Sequence, residues 1–218
     1  MAKIERIKCG NGNCFLVQEN NHAVLIDTSR TQFRDKILNV CKNKNVNLIV
    51  LTHGHVDHVQ NAAYLSRELN VPIAMHEADE ELIKNNLLEP LFAHNIFGKL
   101  ILALSIKSFQ DDKIESFKPK VFLHEGDSLE NYGIHATVME LPGHTKGSIG
   151  LKIGEKDIIV GDALMNMFYP SRSMLYGNRK AMEESAKKIS GIHDVSIHFG
   201  HGKSVRNRNW LRYGTWIE

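Results

Sequence analysis

Cysteine is scarce: three occur in 218 residues, Cys9, Cys14 and Cys41, and no two are spaced as CxxC. An odd, unpatterned set argues against a disulfide framework and suits small buried hydrophobes or inert thiols in a reducing compartment. Long apolar runs are also missing. The best one, LFAHNIFGKLILALSI at 91–106, is broken by His94, Asn95 and Lys99. It falls short of the roughly 20 apolar residues of a bilayer span, which excludes a membrane helix there. No apolar stretch of signal-peptide length follows MAKIERIKCG, so a cytoplasmic protein is expected. Nor is there an excess of one charge: the net value is +2, too small to call for a nucleic-acid partner. Arg206, Arg208 and Arg212 read as a solvated C-terminal cluster. With five prolines and no repeat, low-complexity tract or Pro-rich linker, residues 1–218 are expected to form a single domain.

What is present is an alternation of short strands and helices. IERIKCG, NCFLVQEN and HAVLIDTS read as strands separated by turns at Gly12 and at Asn20 with Asn21. QFRDKILNVCKNK has helical spacing, with Phe33, Ile37, Leu38 and Cys41 on one face. VNLIVLT is a continuous apolar run, the signature of a strand buried on both faces. A helix from Asn61 to Leu69 and a strand in VPIAMHE follow. After a break at 77–118, strands return in KPKVFLHEG, IHATVMELP, SIGLKIG and KDIIVGDAL. RKAMEESAKKISGI is a helix stopped by Gly191, and VSIHFGHG a last strand. The sum is a layered α/β protein with mixed sheets.

Twelve histidines raise the question of which work together. His53, His55 and His58 share THGHVDH with Asp57, directly after a buried strand and before a helix. A loop so placed can turn several side chains into one space while the strand end holds the backbone still. Imidazole and carboxylate ligands suit zinc, iron or manganese. More ligands must come from elsewhere. LPGHTKGS puts His144 on a glycine-rich turn after a strand, IIVGDAL puts Asp162 at the end of an apolar run, and HFGHG sets His201 between glycines. Each is a polar residue at a strand end beside glycine, which lets backbone approach a shared centre.

HxHxDH, then PGHT with Gly147 and Ser148, then GD, then a late GHG resembles the metallo-β-lactamase superfamily. The resemblance runs from about the first strand to His201. It implies a four-layer αβ/βα sandwich, helices outside two packed mixed β-sheets, with metals at one sheet edge. Carried over by position, His53, His55 and His144 would hold one metal, Asp57, His58 and His201 a second, and Asp162 would bridge them. Asp27, in VLIDTS, matches an acidic position near the family's site that does not usually bind metal. His55, where a glutamate would mark the diiron flavoprotein branch, argues against that branch. His22, His76, His94, His124, His135, His193 and His198 have no motif support and read as structural or exposed, His94 being the one that could face the site.

The cofactor expected is two divalent metal ions, zinc first, with iron or manganese also suitable. Two such ions would lower the pKa of a shared water towards neutrality and polarise the carbonyl or phosphoryl group whose carbon or phosphorus the resulting hydroxide attacks. Asp57 is the candidate catalytic residue, placed to orient that nucleophile or pass its proton on. The expected activity is hydrolysis of a small ester, thioester, lactone or related substrate. The chain departs from the lactonase pattern at Gln60 and at Met165, with Tyr169 the nearest substitute tyrosine. Only a short tail follows His201, where glyoxalase II proper carries a longer helical region. Two other readings stand: a mononuclear iron enzyme resembling the persulfide dioxygenases, and a non-catalytic binding protein on the same fold.

Residues 77–118 contain none of these ligands and are expected to be a helical insert. Phe97, Ile101 and Leu104 share one helical face. As a lid, it would lay Phe92 or Phe97 over the metals; as a contact, it would join a homodimer.

Overall fold

The computed structural model describes residues 2–93 and 96–207. β1 (Lys3–Cys9) and β2 (Gly12–Glu19) form an antiparallel hairpin closed by Cys9 opposite Gly12. Its turn is Gly10 and Asn11, and Gly10 takes φ +65°, open to glycine without a Cβ clash. The turn therefore precedes Gly12, which begins β2. β3 (His22–Ile26) pairs antiparallel with β2 across Asn20, itself left-handed at φ +52°.

β4 (Val46–Val50), β5 (Ile73–Met75) and β6 (Val121–Phe122) then add in parallel, giving the sheet order β1-β2-β3-β4-β5-β6. Parallel neighbours cannot be joined by a tight turn and need a crossover. α1 (Arg34–Cys41) supplies the first, and α2 (Val56–Val59) with α3 (Ala62–Leu69) the second. The third is residues 77–118, carrying the 16-residue α4 (Ile96–Asp111). That segment therefore carries the crossover between β5 and β6 and is helical over only part of its length.

The second sheet is also mixed. β7 (Ala136–Glu140), β8 (Ile149–Ile153) and β9 (Asp157–Ile159) run antiparallel in turn; β10 (Ser196–His198) joins β9 in parallel and β11 (Val205–Arg206) closes the edge. α5 (Arg179–Ser190) links the parallel pair. Asn178 caps its first turn by accepting from Ala181 N, and Lys187 and Lys188 sit at its negative C-terminal end.

Strand alternation sorts the core into three layers. Leu16, Leu25, Ile49 and Leu51 point to α1 and α3, meeting Ile37, Leu38 and Leu65. Their neighbours Phe15, Val17, Val24, Ile26, Leu48 and Val50 face the other sheet and meet Val138, Ile149 and Leu151. Beyond it, Ile158, Val160 and Ile197 pack on Ala186 and Ile189 of α5. Helix, sheet, sheet, helix is the four-layer sandwich. The consecutive apolar residues of β4 are explained by burial on both faces. Truncating one such leucine to alanine costs about 2–5 kcal/mol. Among the described residues, no helix is long and apolar enough to cross a membrane.

Candidate metal centre

The loops at one edge of both sheets bring all seven predicted residues together. His53 and His55 lie on the loop after β4, and Asp57 and His58 begin α2. His144 sits between β7 and β8, Asp162 follows β9, and His201 follows β10. Ligand-type atoms of His53, His55 and His144 lie within 4.8 Å of one another, as do those of Asp57, His58 and His201. Asp162 lies between the sets: Oδ1 is 3.5 Å from His58 Nε2, and Oδ2 is 3.3 Å from His201 Nε2 and 3.8 Å from His144 Nε2. Gly200 makes this approach possible, since a Cβ there would stand 2.3 Å from Asp162 Oδ1. The segment carrying His201 is further tied to the first sheet by Asn13, whose Nδ2 donates to Phe199 O (2.9 Å) and Gly202 O (2.8 Å).

Hydrogen bonds fix which nitrogen of each ring faces the centre. His58 Nδ1 donates to Asp27 Oδ2 (2.8 Å), His144 Nδ1 to Leu175 O (2.9 Å), and His201 Nδ1 to Asn11 O (3.1 Å), because those oxygens can only accept. Thr52 Oγ1 gives its proton to Asp27 Oδ2 (2.9 Å) and so accepts from His53 Nδ1 (3.1 Å). In these four rings Nε2 is the atom left to bind. His55 is turned the other way: its Nδ1 stands 3.0 Å from His144 Nε2, and its ring stacks on Phe109 with centroids 4.9 Å apart.

Buried polar atoms ordinarily find partners. Here His53 Nε2, His58 Nε2 and Asp162 Oδ1 are buried at the centre without one, as is His55 Nε2 beneath Phe109. Three convergent orphaned atoms on imidazole and carboxylate groups are what divalent cations would satisfy, so the residues fit a metal centre.

The electrostatics agree. Burial, then the neighbouring histidines, hold His53 well below its usual value and push His55 down to about 3. Burial also opposes charge on His58, but Asp162 and Asp27 outweigh it and raise His58 to about 9. His201 is raised in the same way by Asp162 and Asp57. Burial pushes both carboxylates upward, yet His201 and His58 keep Asp57 and Asp162 ionised far below the usual range. Of the two, Asp57 is the more open, its side chain 27% exposed against 7% for Asp162.

Asp79 and Asn86, which carry no sequence signal, hold the loops of the centre together with Thr52 and Thr145 of the two motifs, through hydrogen bonds to backbone amides and hydroxyls. Phe109, rather than Phe92 or Phe97, is the aromatic of the 77–118 segment that reaches the candidate ligands, stacking on His55; Phe97 packs instead on Phe168. Gln60 bridges Thr31 N and Lys113 O, fastening the end of α4 to the site loops, and Tyr169 is exposed. His94, Arg208 and Arg212 lie outside the described residues. His76 and His124 form an exposed network with Glu77 and Glu140, while His198 is held by Asp157 and Ser204.

A cavity of about 440 Å³ opens on the centre, with His55, Asp57, His144, Asp162 and His201 in its wall. The chain is similar to several known proteins. Hydroxyacylglutathione hydrolase GloC of Haemophilus influenzae is 27% identical over 87% of this chain and 85% of its own. The fold matches that of the BLEG-1 B3 metallo-beta-lactamase (TM-score 0.74, 20% identity, 99% of both chains). It also matches TTHA1623 in a di-iron-bound form (TM-score 0.69, 23% identity, 93% of this chain and 94% of that one). The sequence profile of the metallo-beta-lactamase superfamily covers residues 7–206, and the chain belongs to that superfamily.

Proposed function

We propose that the chain is a dinuclear metal-dependent hydrolase acting on a small ester, thioester or lactone. The observation that carries this reading is Asp162, lodged between two separate three-residue donor sets with one oxygen unpartnered. One cation would use His53, His55 and His144, and the other Asp57, His58 and His201, with Asp162 shared. Zinc suits this nitrogen- and oxygen-rich set, as iron and manganese do. Divalent cations held there would supply Lewis acidity and lower the pKa of water.

The chain's own groups divide the remaining work. Asp27 and Thr52 keep His58 and His53 in the tautomer that turns Nε2 inward. Asp57, open to the cavity and 3.5 Å from His201 Nε2, orients the attacking water and takes its proton. Water oxygen bonds to the substrate carbonyl, the C–S or C–O bond breaks, and the proton leaves with the thiol or alcohol. The GloC relative supports the thioester arm of this reading. Three buried free thiols, Cys9, Cys14 and Cys41, fit a cytoplasmic setting.

Metal analysis of protein purified without chelator, paired with thioester, lactone and phosphodiester substrates, tests the proposal. About two metals per chain with hydrolysis of one class supports it. One tightly held iron with sulfite release from a persulfide would replace it.

A further inference from the structure

α4 has an unusual sequence for an outer helix: IFGKLILALSIKSFQD carries apolar residues almost all round. Burial in the sandwich does not account for them, because Leu100 and Leu104 are 58% and 63% exposed. One stripe, Ile101, Leu104, Ser105 and Phe109, lines the cavity. This is the i, i+3, i+4, i+8 spacing of a single helix face. Its inner end is fixed at the centre, where Phe109 stacks on His55. Leu91, Leu175, Met165 and Met167 continue the apolar lining, whereas Asn11, Ser29 and Gln32 make another part of the wall polar and uncharged. The cavity's Arg30 is engaged by Asp112 at the end of α4, and Asp112 also accepts from Ser108 (2.7 Å).

We infer that the substrate is a thioester of a medium-chain fatty acid, its acyl chain lying along α4 and its polar thiol carrier on the Asn11–Gln32 side. The inference deepens the hydrolase reading and rests on it for the bond broken. A carbonyl held at the metal centre sits at the Phe109 end of the stripe, so an acyl chain leaving it meets Leu104 and then Ile101. From Phe109 to Ile101 the helix axis advances about 12 Å, roughly the length of an extended eight- to ten-carbon chain. Thioether and aliphatic side chains adapt to such a chain without demanding a polar partner. In the reaction, water adds its oxygen to the acyl carbon, the C–S bond breaks, and a carboxylic acid and a thiol are released.

The test uses metal-loaded protein. Acetyl, butyryl, hexanoyl and octanoyl thioesters of N-acetylcysteamine should show kcat/KM rising about three- to four-fold per buried methylene before levelling off. Calorimetry should show octanoate binding more tightly than acetate by at least about tenfold. The double substitution Ile101→Gln with Leu104→Gln, on exposed or half-buried positions of α4, should flatten both trends with melting temperature and metal content unchanged. An octanoate preference without hydrolysis of any thioester would uphold the acyl site and remove the hydrolase reading. Equal binding of the two acids, or equal rates along the series, would overturn the acyl site while leaving the hydrolase reading intact. A preference that instead follows alkyl length in the thiol of acetyl thioesters would overturn the chain's assignment to the acyl side. A variant that changes only oligomeric state would overturn it as well.

Discussion

Thr145 Oγ1 donates a 2.7 Å hydrogen bond to Asp79 Oδ2, and the same carboxylate oxygen accepts the amide of Gly54 at 2.8 Å. Gly54 lies between His53 and His55, and Thr145 follows His144. The other oxygen, Oδ1, takes the amide of Gly147 at 2.6 Å, and a Cβ on Gly147 would come within 2.7 Å of it. One fully buried carboxylate therefore clamps together the two loops that would hold the first metal. Asn86 continues the clamp by accepting from Val56 N (2.6 Å) and donating to Gly54 O (2.9 Å).

Asp79→Ala leaves two buried amides, those of Gly54 and Gly147, without a partner, at about 1–3 kcal/mol each before relaxation, while Thr145 Oγ1 keeps Ser148 Oγ at 2.7 Å. A net loss of about 3 kcal/mol corresponds to roughly 6–12 °C in melting temperature for a chain of this size. Calorimetry of the metal-loaded variant should show that drop together with reduced metal content. Asp79→Asn keeps the shape and should recover part of both.

Asp162→Ala should harm activity far more than folding, because its carboxylate stands between both donor sets and its backbone only ends a strand. Loss of several kcal/mol of transition-state stabilisation means a fall in turnover of about a hundredfold or more. Metal analysis should show fewer than two ions per chain. Near-normal turnover would reduce Asp162 to a turn residue.

The sequence made the seven centre residues visible because each follows a strand and most sit beside glycine, a pattern that survives without knowledge of the fold. The double-faced burial of β4 was equally plain from VNLIVLT. Asp79 and Asn86 were not visible, since a side chain that caps backbone amides has no fixed spacing from its partners. The role of residues 77–118 was hidden for a related reason. Their crossover character depends on β6, which is only Val121 and Phe122, lying parallel to β5. An apolar α4 with no clear polar face also conceals which stripe turns inward, so Phe97 stood out where Phe109 does the contacting.

Metal loading should release protons at pH 7. Asp162 and Asp27 overcome burial and raise His58 to about 9, and His201 is raised likewise, so the metal-free protein carries protons that cations must displace. A group raised from 6.5 to about 9 contributes stability to the metal-free fold that is full below pH 6.5 and lost as pH rises through 9. The gain in melting temperature on adding zinc should accordingly grow from pH 6 to pH 9. Titration in buffers of different ionisation enthalpy should report net proton release at pH 7; uptake, or no exchange, would contradict the assigned ligands.

Two donor sets sharing Asp162 call for two cations per chain. Anaerobic elemental analysis of protein purified without chelator counts them. A value approaching two divalent metals per chain is expected, falling below two in Asp162→Ala. A clean value of one iron per chain, retained through dialysis and unchanged by that substitution, would contradict it.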